Sequence, residues 1–382
     1  MSGMSTNSVH AGEERPGFGG AVVTPIFQSS TFAYDGPGGL AEVTYGRYQN
    51  SPNHTVLHAR ISALEGTEDA VVAATGMAAM TAALLGLCEQ GDHLIAAQGL
   101  YGGTHLLLTE ELPKLGVECT LVDPQRPDTW AAALRPRTRA FVVETISNPL
   151  CRVADLRAVA EFCRARKIVS LIDNTFASPV NFQPAAHGFD LIHHSATKYL
   201  NGHTDLVAGA LAGKRELIAR AVKVIRRLGG SLDPHACFLL ERGIKTMVLR
   251  VERQNANALR VAEFLERQPQ VAAVHHPGLP SHPDHARAKA LFRGFGGMLA
   301  FDLRGGGPAA ERFLAAVKIP YVAPSLGGVE TLLSRPVATS HTMLTPAERA
   351  ALGIGDGLIR MSVGIEDVED LTADLASALA SR

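Results

Sequence analysis

Five short apolar runs recur along this 382-residue chain, and their texture limits the possible folds more than any other feature. They are His93 to Ala97, Ala140 to Glu144, Ile168 to Asp173, Leu191 to Ser195 and Val207 to Ala212. Helix-length segments alternate with them, among them Met77 to Leu87, Asp155 to Lys167 and Arg215 to Arg227. Each run is almost continuously apolar. A strand with one face in water alternates, whereas a strand covered by helices on both faces has no polar side to show. The pattern therefore predicts a doubly wound α/β domain around a mostly parallel sheet. In such sheets ligands lie in the crevice beyond the carboxyl ends of the strands.

The rhythm divides the chain into three parts. Residues 1–50 are rich in Gly, Pro and Thr and read as an extended arm, whose apolar residues Val22, Val23, Ile26, Phe27 and Phe32 need a surface to bury against. Residues 51–240 carry the alternating pattern. Residues 241–382 read as a smaller α+β domain, with a long helix over Arg242 to Glu266 and strands at Val271 to His275 and Met298 to Leu303. Helices follow at Pro308 to Val317 and Asp367 to Ala380; in the last, Val368, Leu371, Leu375 and Leu379 share one face.

Several function classes are disfavoured. A formal net charge of -1 does not suit a nucleic-acid partner. No apolar run approaches the ~20 residues of a membrane helix, and the start of the chain lacks the pattern of a signal peptide. The five cysteines (Cys88, Cys119, Cys151, Cys163, Cys237) are scattered, as expected of reduced thiols in a cytoplasmic protein. His275, His276, His282 and His285 are broken into turns by Pro277, Pro280 and Pro283, so no metal site is expected there. The pair His193 and His194 reads as packed and hydrogen-bonded.

One lysine stands apart. Lys198 follows Ser195-Ala196-Thr197, just beyond an apolar run, where small hydroxyl residues replace the charged neighbours of a solvated helix. Such a lysine can be a Schiff-base nucleophile, with Ser195 and Thr197 free to hold a phosphate, which points to pyridoxal phosphate (PLP). Asp173 ends the preceding run and can keep a pyridine nitrogen protonated; alone it could equally cap the next turn. Gly76 and Met77 open an Ala-rich helix whose N–H groups suit an anion, although a glycine at a helix start is common. Tyr101, between glycines after a strand, could stack on a flat ring and move protons, or be a half-buried loop tyrosine. Asn148 could donate to the cofactor's phenolic oxygen or simply form a turn with Pro149. Arg360 lies inside the apolar run Leu358 to Val363. It needs either a substrate carboxylate or an internal ion pair.

These motifs occur in order with others: His10-Ala11-Gly12, Thr24-Pro25-Ile26, Tyr45-Gly46-Arg47, Leu64-Glu65-Gly66, Tyr101-Gly102-Gly103-Thr104, Ser147-Asn148-Pro149, Arg293-Gly294-Phe295-Gly296-Gly297, Ser325-Leu326-Gly327-Gly328-Val329-Glu330 and Ser362-Val363-Gly364-Ile365-Glu366. Over nearly its whole length the chain resembles the cystathionine γ-lyase, cystathionine γ-synthase and methionine γ-lyase family of fold-type I PLP enzymes. The resemblance implies a mostly parallel seven-stranded sheet between helices, a smaller C-terminal α+β domain and the N-terminal arm. It also implies Lys198 as the Schiff-base lysine and Asp173 on the pyridine nitrogen, with Tyr101 stacked on the ring. Tyr45 and Arg47 would reach the phosphate in a neighbouring subunit, within a homotetramer built as a dimer of dimers. Ser325, Arg360 and Asn148 would seat the carboxylate of a small amino-acid substrate.

The implied activity is γ-elimination of a sulfur amino acid to 2-oxobutyrate, ammonia and a thiol. Alternatives are γ-replacement of the cystathionine γ-synthase or O-acylhomoserine sulfhydrylase type, and a PLP-binding protein without turnover. Gly103 stands where methionine γ-lyases carry cysteine, Leu106 where cystathionine-processing members tend to have arginine, and Thr44 where an acid is frequent. Glu330 is retained, Thr339 replaces a usual methionine, and the loop Asn50 to Asn53 is one residue longer than usual.

Overall fold

A computed structural model describes residues 2–33, 43–339, 342 and 345–381. Its large sheet has seven strands: β1 (Asp69–Ala73), β2 (His93–Ala97), β3 (Glu118–Val122), β4 (Thr138–Glu144), β5 (Val169–Asp173), β6 (Leu191–His194) and β7 (Gly209–Gly213). Their order is β1-β7-β6-β5-β4-β2-β3. The run from β6 to β3 is parallel, and β7 is antiparallel to both β6 and β1. Every residue of β2, β6 and β7 is buried, as the unbroken apolar runs require of strands covered on both faces. The helices Gly76–Leu87 and Leu156–Arg166 pack against this sheet.

A second sheet follows, formed by β8 (Val271–His275), β9 (Met298–Leu303), β10 (Tyr321–Val322), β11 (Leu332–Ser334) and β12 (Leu358–Ser362), in the order β10-β11-β12-β9-β8. The helix Met247–Glu266 joins the two units. Its first half (Met247, Val248, Val251) belongs to the large core, and its second half (Ala258, Val261, Ala262, Leu265) to the core of the small sheet.

Four features differ from the sequence reading. The expected helix over 242–266 is two helices, Pro234–Ile244 and Met247–Glu266. The first starts early because Asp233 caps it, accepting from the N–H groups of His235 and Ala236, with Pro234 at the first position. The chain breaks after Ile244, and Arg250 reaches back to the carbonyls of Tyr199, Leu200 and Gly243. Strands β1 and β3 and the helix Pro52–Glu65 carry too weak a periodicity to stand out. The last apolar run begins two residues later than expected: Val207 is exposed and β7 starts at Gly209, where a Cβ would collide with the Thr75 carbonyl. Among the described residues the arm contains one short α-helix, Met4–His10, and two 3-10 turns, Phe18–Gly20 and Gly46–Tyr48, and leaves Phe18, Val22, Val23 and Ile26 exposed.

Buried charge fixes the arm to the body. Arg60, fully buried, donates to Ala11 O (2.9 Å) and Glu13 Oε1 (3.0 Å) and lies 3.5 Å from Glu241 Oε1. Lys245 Nζ and Thr24 Oγ1 complete the cluster, at 2.8 Å from Glu13 and 3.3 Å from Glu241. Removing one member of a buried ion pair strands its partner's charge, so Arg60→Ala should cost about 3–5 kcal/mol. The measurement is the midpoint of urea unfolding; a loss below about 1 kcal/mol, the worth of an exposed pair, would refute the assignment.

Candidate active site

A cavity of about 730 Å³ opens where β4, β5 and β6 end and the small domain begins. The loop after β6 brings Lys198 into it, and Lys198 Nζ donates to Ser325 Oγ at 2.6 Å. Burial, with the positive charge of Arg360 adding to it, depresses the amine to a pKa of about 8. Ser325 sits on the opposite wall with φ of 91°, a backbone conformation that side chains rarely adopt. Its carbonyl accepts from Arg360 Nη2 at 2.9 Å. One residue thus touches both the amine and the guanidinium.

Arg360, on β12, is buried. Its other donor goes to Asn148 Oδ1 at 3.2 Å, and no carboxylate among the described residues pairs with it. The internal ion pair left open by the sequence is therefore not made; the guanidinium faces the cavity with two neutral acceptors. Burial lowers its pKa, against the influence of Cys151, Tyr199 and Tyr101.

Asp173 ends β5 in the same cavity. Its Oδ1 accepts from the Thr175 N–H (2.9 Å) and hydroxyl (2.5 Å), and its Oδ2 lies 2.9 Å from His193 Nδ1. Burial pushes this carboxyl up, but His193 and Thr175 outweigh it and hold the pKa below the usual range. Glu144, its neighbour across the β4–β5 register, behaves oppositely: burial and the charge of Asp173 raise it to about 8. Glu144 Oε1 accepts from the Tyr101 N–H at 2.6 Å.

The Tyr101 ring is half exposed at the cavity mouth. A Cβ on Gly103 would lie 2.7 Å from Tyr101 Cε1 and 3.0 Å from Met77 Sδ, so the missing side chain at position 103 makes room for this ring. Across the cavity, Thr75 caps the helix Gly76–Leu87 through its hydroxyl, which accepts from the Ala78 N–H. The N–H groups of Gly76 and Met77 precede the first intrahelical bond and are open to an anion. Gly76 adjoins Ser195: a Cβ there would fall 3.1 Å from Ser195 Oγ. Thr197 lines the cavity too, but its hydroxyl donates to Ala208 O (3.2 Å) and accepts from Ala208 N–H (3.0 Å).

The residues fit PLP. An amine of lowered basicity, an ionised carboxylate, an open helix start without a Cβ and a tyrosine ring line one cavity large enough for a flat phosphorylated ring. Two residues are expected at the phosphate of a neighbouring subunit rather than in this chain's own cavity. Tyr45 and Arg47 do not line this cavity; Arg47 stacks on Tyr45 and Tyr48, 5.6 and 5.3 Å from their ring centroids, and donates to Arg226 O at 2.8 Å. Thr339 lines the cavity, whereas Thr44 and Leu106 do not, and Ser340 and His341 lie outside the described residues. His193 and Thr175 escaped sequence reasoning, as did the apolar wall of Ile146, Phe176, Val207 and Leu326. Thr175 carried a local signal, since a hydroxyl two residues after an aspartate commonly closes a turn on it.

Comparison with known proteins agrees with this geometry. The family model described as Cys/Met metabolism PLP-dependent enzyme matches residues 5–380. The chain is 42% identical over 381 residues to a cystathionine gamma-synthase of Mycobacterium tuberculosis, covering 99% of this chain and 97% of that one. It is 40% identical over 391 residues to an L-methionine gamma-lyase of Porphyromonas gingivalis, covering 100% and 98%. A solved cystathionine gamma-lyase from Lactobacillus plantarum, complexed with L-serine, superimposes with a TM-score of 0.94 at 34% identity, covering 100% and 99%. On this evidence the chain is a PLP-dependent enzyme and belongs to the Cys/Met metabolism family.

Proposed function

We propose that the chain is a carbon–sulfur lyase, eliminating the γ-substituent of a sulfur amino acid such as cystathionine, methionine or homocysteine. The products are 2-oxobutyrate, ammonia and a thiol. The observation that carries this reading is the pairing of Lys198 and Arg360 through Ser325, which sets a base and a carboxylate anchor side by side. The apolar wall of Ile146, Phe176, Val207 and Leu326 suits the sulfur-bearing end of such a substrate.

In this reading Asp173 meets the pyridine nitrogen, Gly76, Met77 and Ser195 hold the phosphate, Thr197 joins them only by giving up its bond to the Ala208 carbonyl, and Tyr101 covers the ring. Bound PLP supplies an electron sink for the charge left at Cα. Lys198, its pKa lowered to about 8, would take the proton from Cα, deliver it elsewhere on the bound molecule and, neutral again, take one from Cβ. Arg360, steadied by Asn148 and the Ser325 carbonyl, holds the substrate carboxylate. The Tyr101 hydroxyl gives a proton to the departing sulfur. γ-Replacement on an activated homoserine ester shares the early steps, and the likeness to a chain named as a synthase keeps it as the second reading.

The reading extends to assembly. Exposed Phe18, Val22 and Val23 on the arm, with Tyr45 and Arg47 outside their own chain's cavity, support a homotetramer in which these two residues complete a neighbour's phosphate site. The arm 1–50, a cofactor domain 51–240 and a C-terminal domain 241–382 are the working parts. Free cysteines support a cytoplasmic location, and among the described residues no helix is long and apolar enough to cross a membrane.

Four measurements test this. Incubation with L-cystathionine or L-methionine should yield 2-oxobutyrate and ammonia; product only with an O-acylhomoserine and a thiol would establish replacement instead, and none at all a binding protein. Lys198→Ala should lose the yellow colour and all turnover, and retained turnover would exclude Lys198 as the base. Because burial and Arg360 bring the amine down from 10.5 to about 8, uptake of PLP by the cofactor-free protein should rise with pH and level off above about 8. Arg47→Ala should weaken PLP retention about tenfold, the worth of one charged hydrogen bond, and parental retention would remove Arg47 from the phosphate site.

A further inference from the structure

Two histidines adjoin in β6, and strand alternation sends them to opposite faces. His194 turns away from the cavity, its Nε2 2.5 Å from the buried Glu65 Oε1. His193 turns toward it and lines the wall with Asp173. Its Nε2 lies 2.8 Å from the carbonyl of Gly76, an atom that only accepts, so Nε2 carries a proton. Its Nδ1 lies 2.9 Å from Asp173 Oδ2, without the alignment of a full hydrogen bond. A lone pair on Nδ1 would face an anionic oxygen at that distance and be repelled; a proton there turns repulsion into attraction. The other oxygen of Asp173 already takes two donors from Thr175, which suits a carboxylate and not an acid.

We propose that His193 is a positioning residue that stands as a buried imidazolium between the Asp173 carboxylate and the Gly76 carbonyl. Its charge keeps Asp173 ionised, and its two N–H groups fix the carboxylate relative to the start of the helix Gly76–Leu87. The inference rests on the reading above, in which Asp173 meets the ring nitrogen of PLP and Gly76 lies at its phosphate. His193 then spans the two ends of the cofactor site from beneath. The neighbouring charges are consistent with this. Glu144 faces Asp173 from β4, Lys198 shares the cavity, and the Glu65–His194 pair occupies the far face of β6. Burial alone would push His193 down and Asp173 up, yet Asp173 with the Gly76 carbonyl raises the histidine, and His193 with the two Thr175 donors lowers the aspartate.

The sign of the consequence is fixed. Without the imidazolium, Asp173 protonates at higher pH, so acidification should release PLP earlier than in the parent. The test uses holoenzyme of His193→Leu and His193→Asn, with Asp173→Ala as the control. Release of PLP is followed by loss of the yellow band, at neutral pH and during acidification. His193→Leu should release PLP about tenfold faster or more. His193→Asn, which restores a neutral donor without the charge, should recover part of that retention, yet its release on acidification should still begin at higher pH than in the parent. If His193→Leu fails to fold, the acid limb of His193→Asn carries the test. Parental release and an unmoved acid limb in the histidine variants, with Asp173→Ala losing PLP, overturn the proposal alone. Parental retention in Asp173→Ala overturns the Asp173 reading and the proposal with it.

Discussion

Three titratable side chains stand in one row across the large sheet because β4, β5 and β6 run parallel and in register. Glu144 pairs with Asp173, and Asp173 with His193. Each is the last or next-to-last residue of its strand, so the row lies along the edge where a doubly wound sheet binds its ligands. A shift of one residue in any of these strands would turn its group to the other face. The register is therefore the constraint on which the electrostatics of the site depend. It is held from below by the fully buried interiors of these strands, the apolar runs from which the fold was read.

The row also explains why two carboxyls so close together behave differently. Both are buried and both suffer the loss of water. Asp173 has an imidazole on one side and two donors from Thr175 on the other, and it stays ionised. Glu144 has one backbone donor and a negative neighbour, and its pKa climbs to about 8. Environments that push equivalent groups apart mark acid–base roles. In this molecule the separation leaves an anion at Asp173 and a carboxyl of raised pKa at Glu144, whose Oε1 accepts from the Tyr101 N–H.

Much of this was legible in the sequence, for identifiable reasons. A continuous apolar run marked β2 at its true ends, since burial on both faces leaves no polar residue to blur it; the runs of β8 and β9 also match their true ends, although most of β8 is not buried. The edge strand β3 is half exposed and short of that signal, and β1 merges with its flanks. Lys198, Asp173, Gly76, Met77, Tyr101, Asn148, Ser195, Thr197 and Arg360 come from six segments of chain, yet one cavity gathers them. Ser325 had no local mark beyond its resemblance, because its positive φ and its two contacts exist only in the folded state. His193 and His194 are indistinguishable as letters. Only the period-two alternation of a strand, anchored by Asp173 in the neighbouring one, separates the one that faces the cavity from the one that is core.

Specificity is written in a different way. Thr44 and Leu106 depart from the family yet lie off the cavity of their own chain, so neither can act on a substrate there directly. Gly103 acts through absence: with no side chain, it lets the Tyr101 ring settle over Met77. A cysteine at that position would contend with the ring for the same space and would force one of them to shift. The size of one residue two positions along thus sets where the Tyr101 ring stands, which is a steric control rather than a contact with the substrate. Thr339, which does line the cavity, offers a hydroxyl where methionine would offer a flexible apolar surface. That hydroxyl donates to the Arg335 carbonyl at 2.8 Å, so its polarity is already spent within the loop and the wall it presents is less polar than its name suggests.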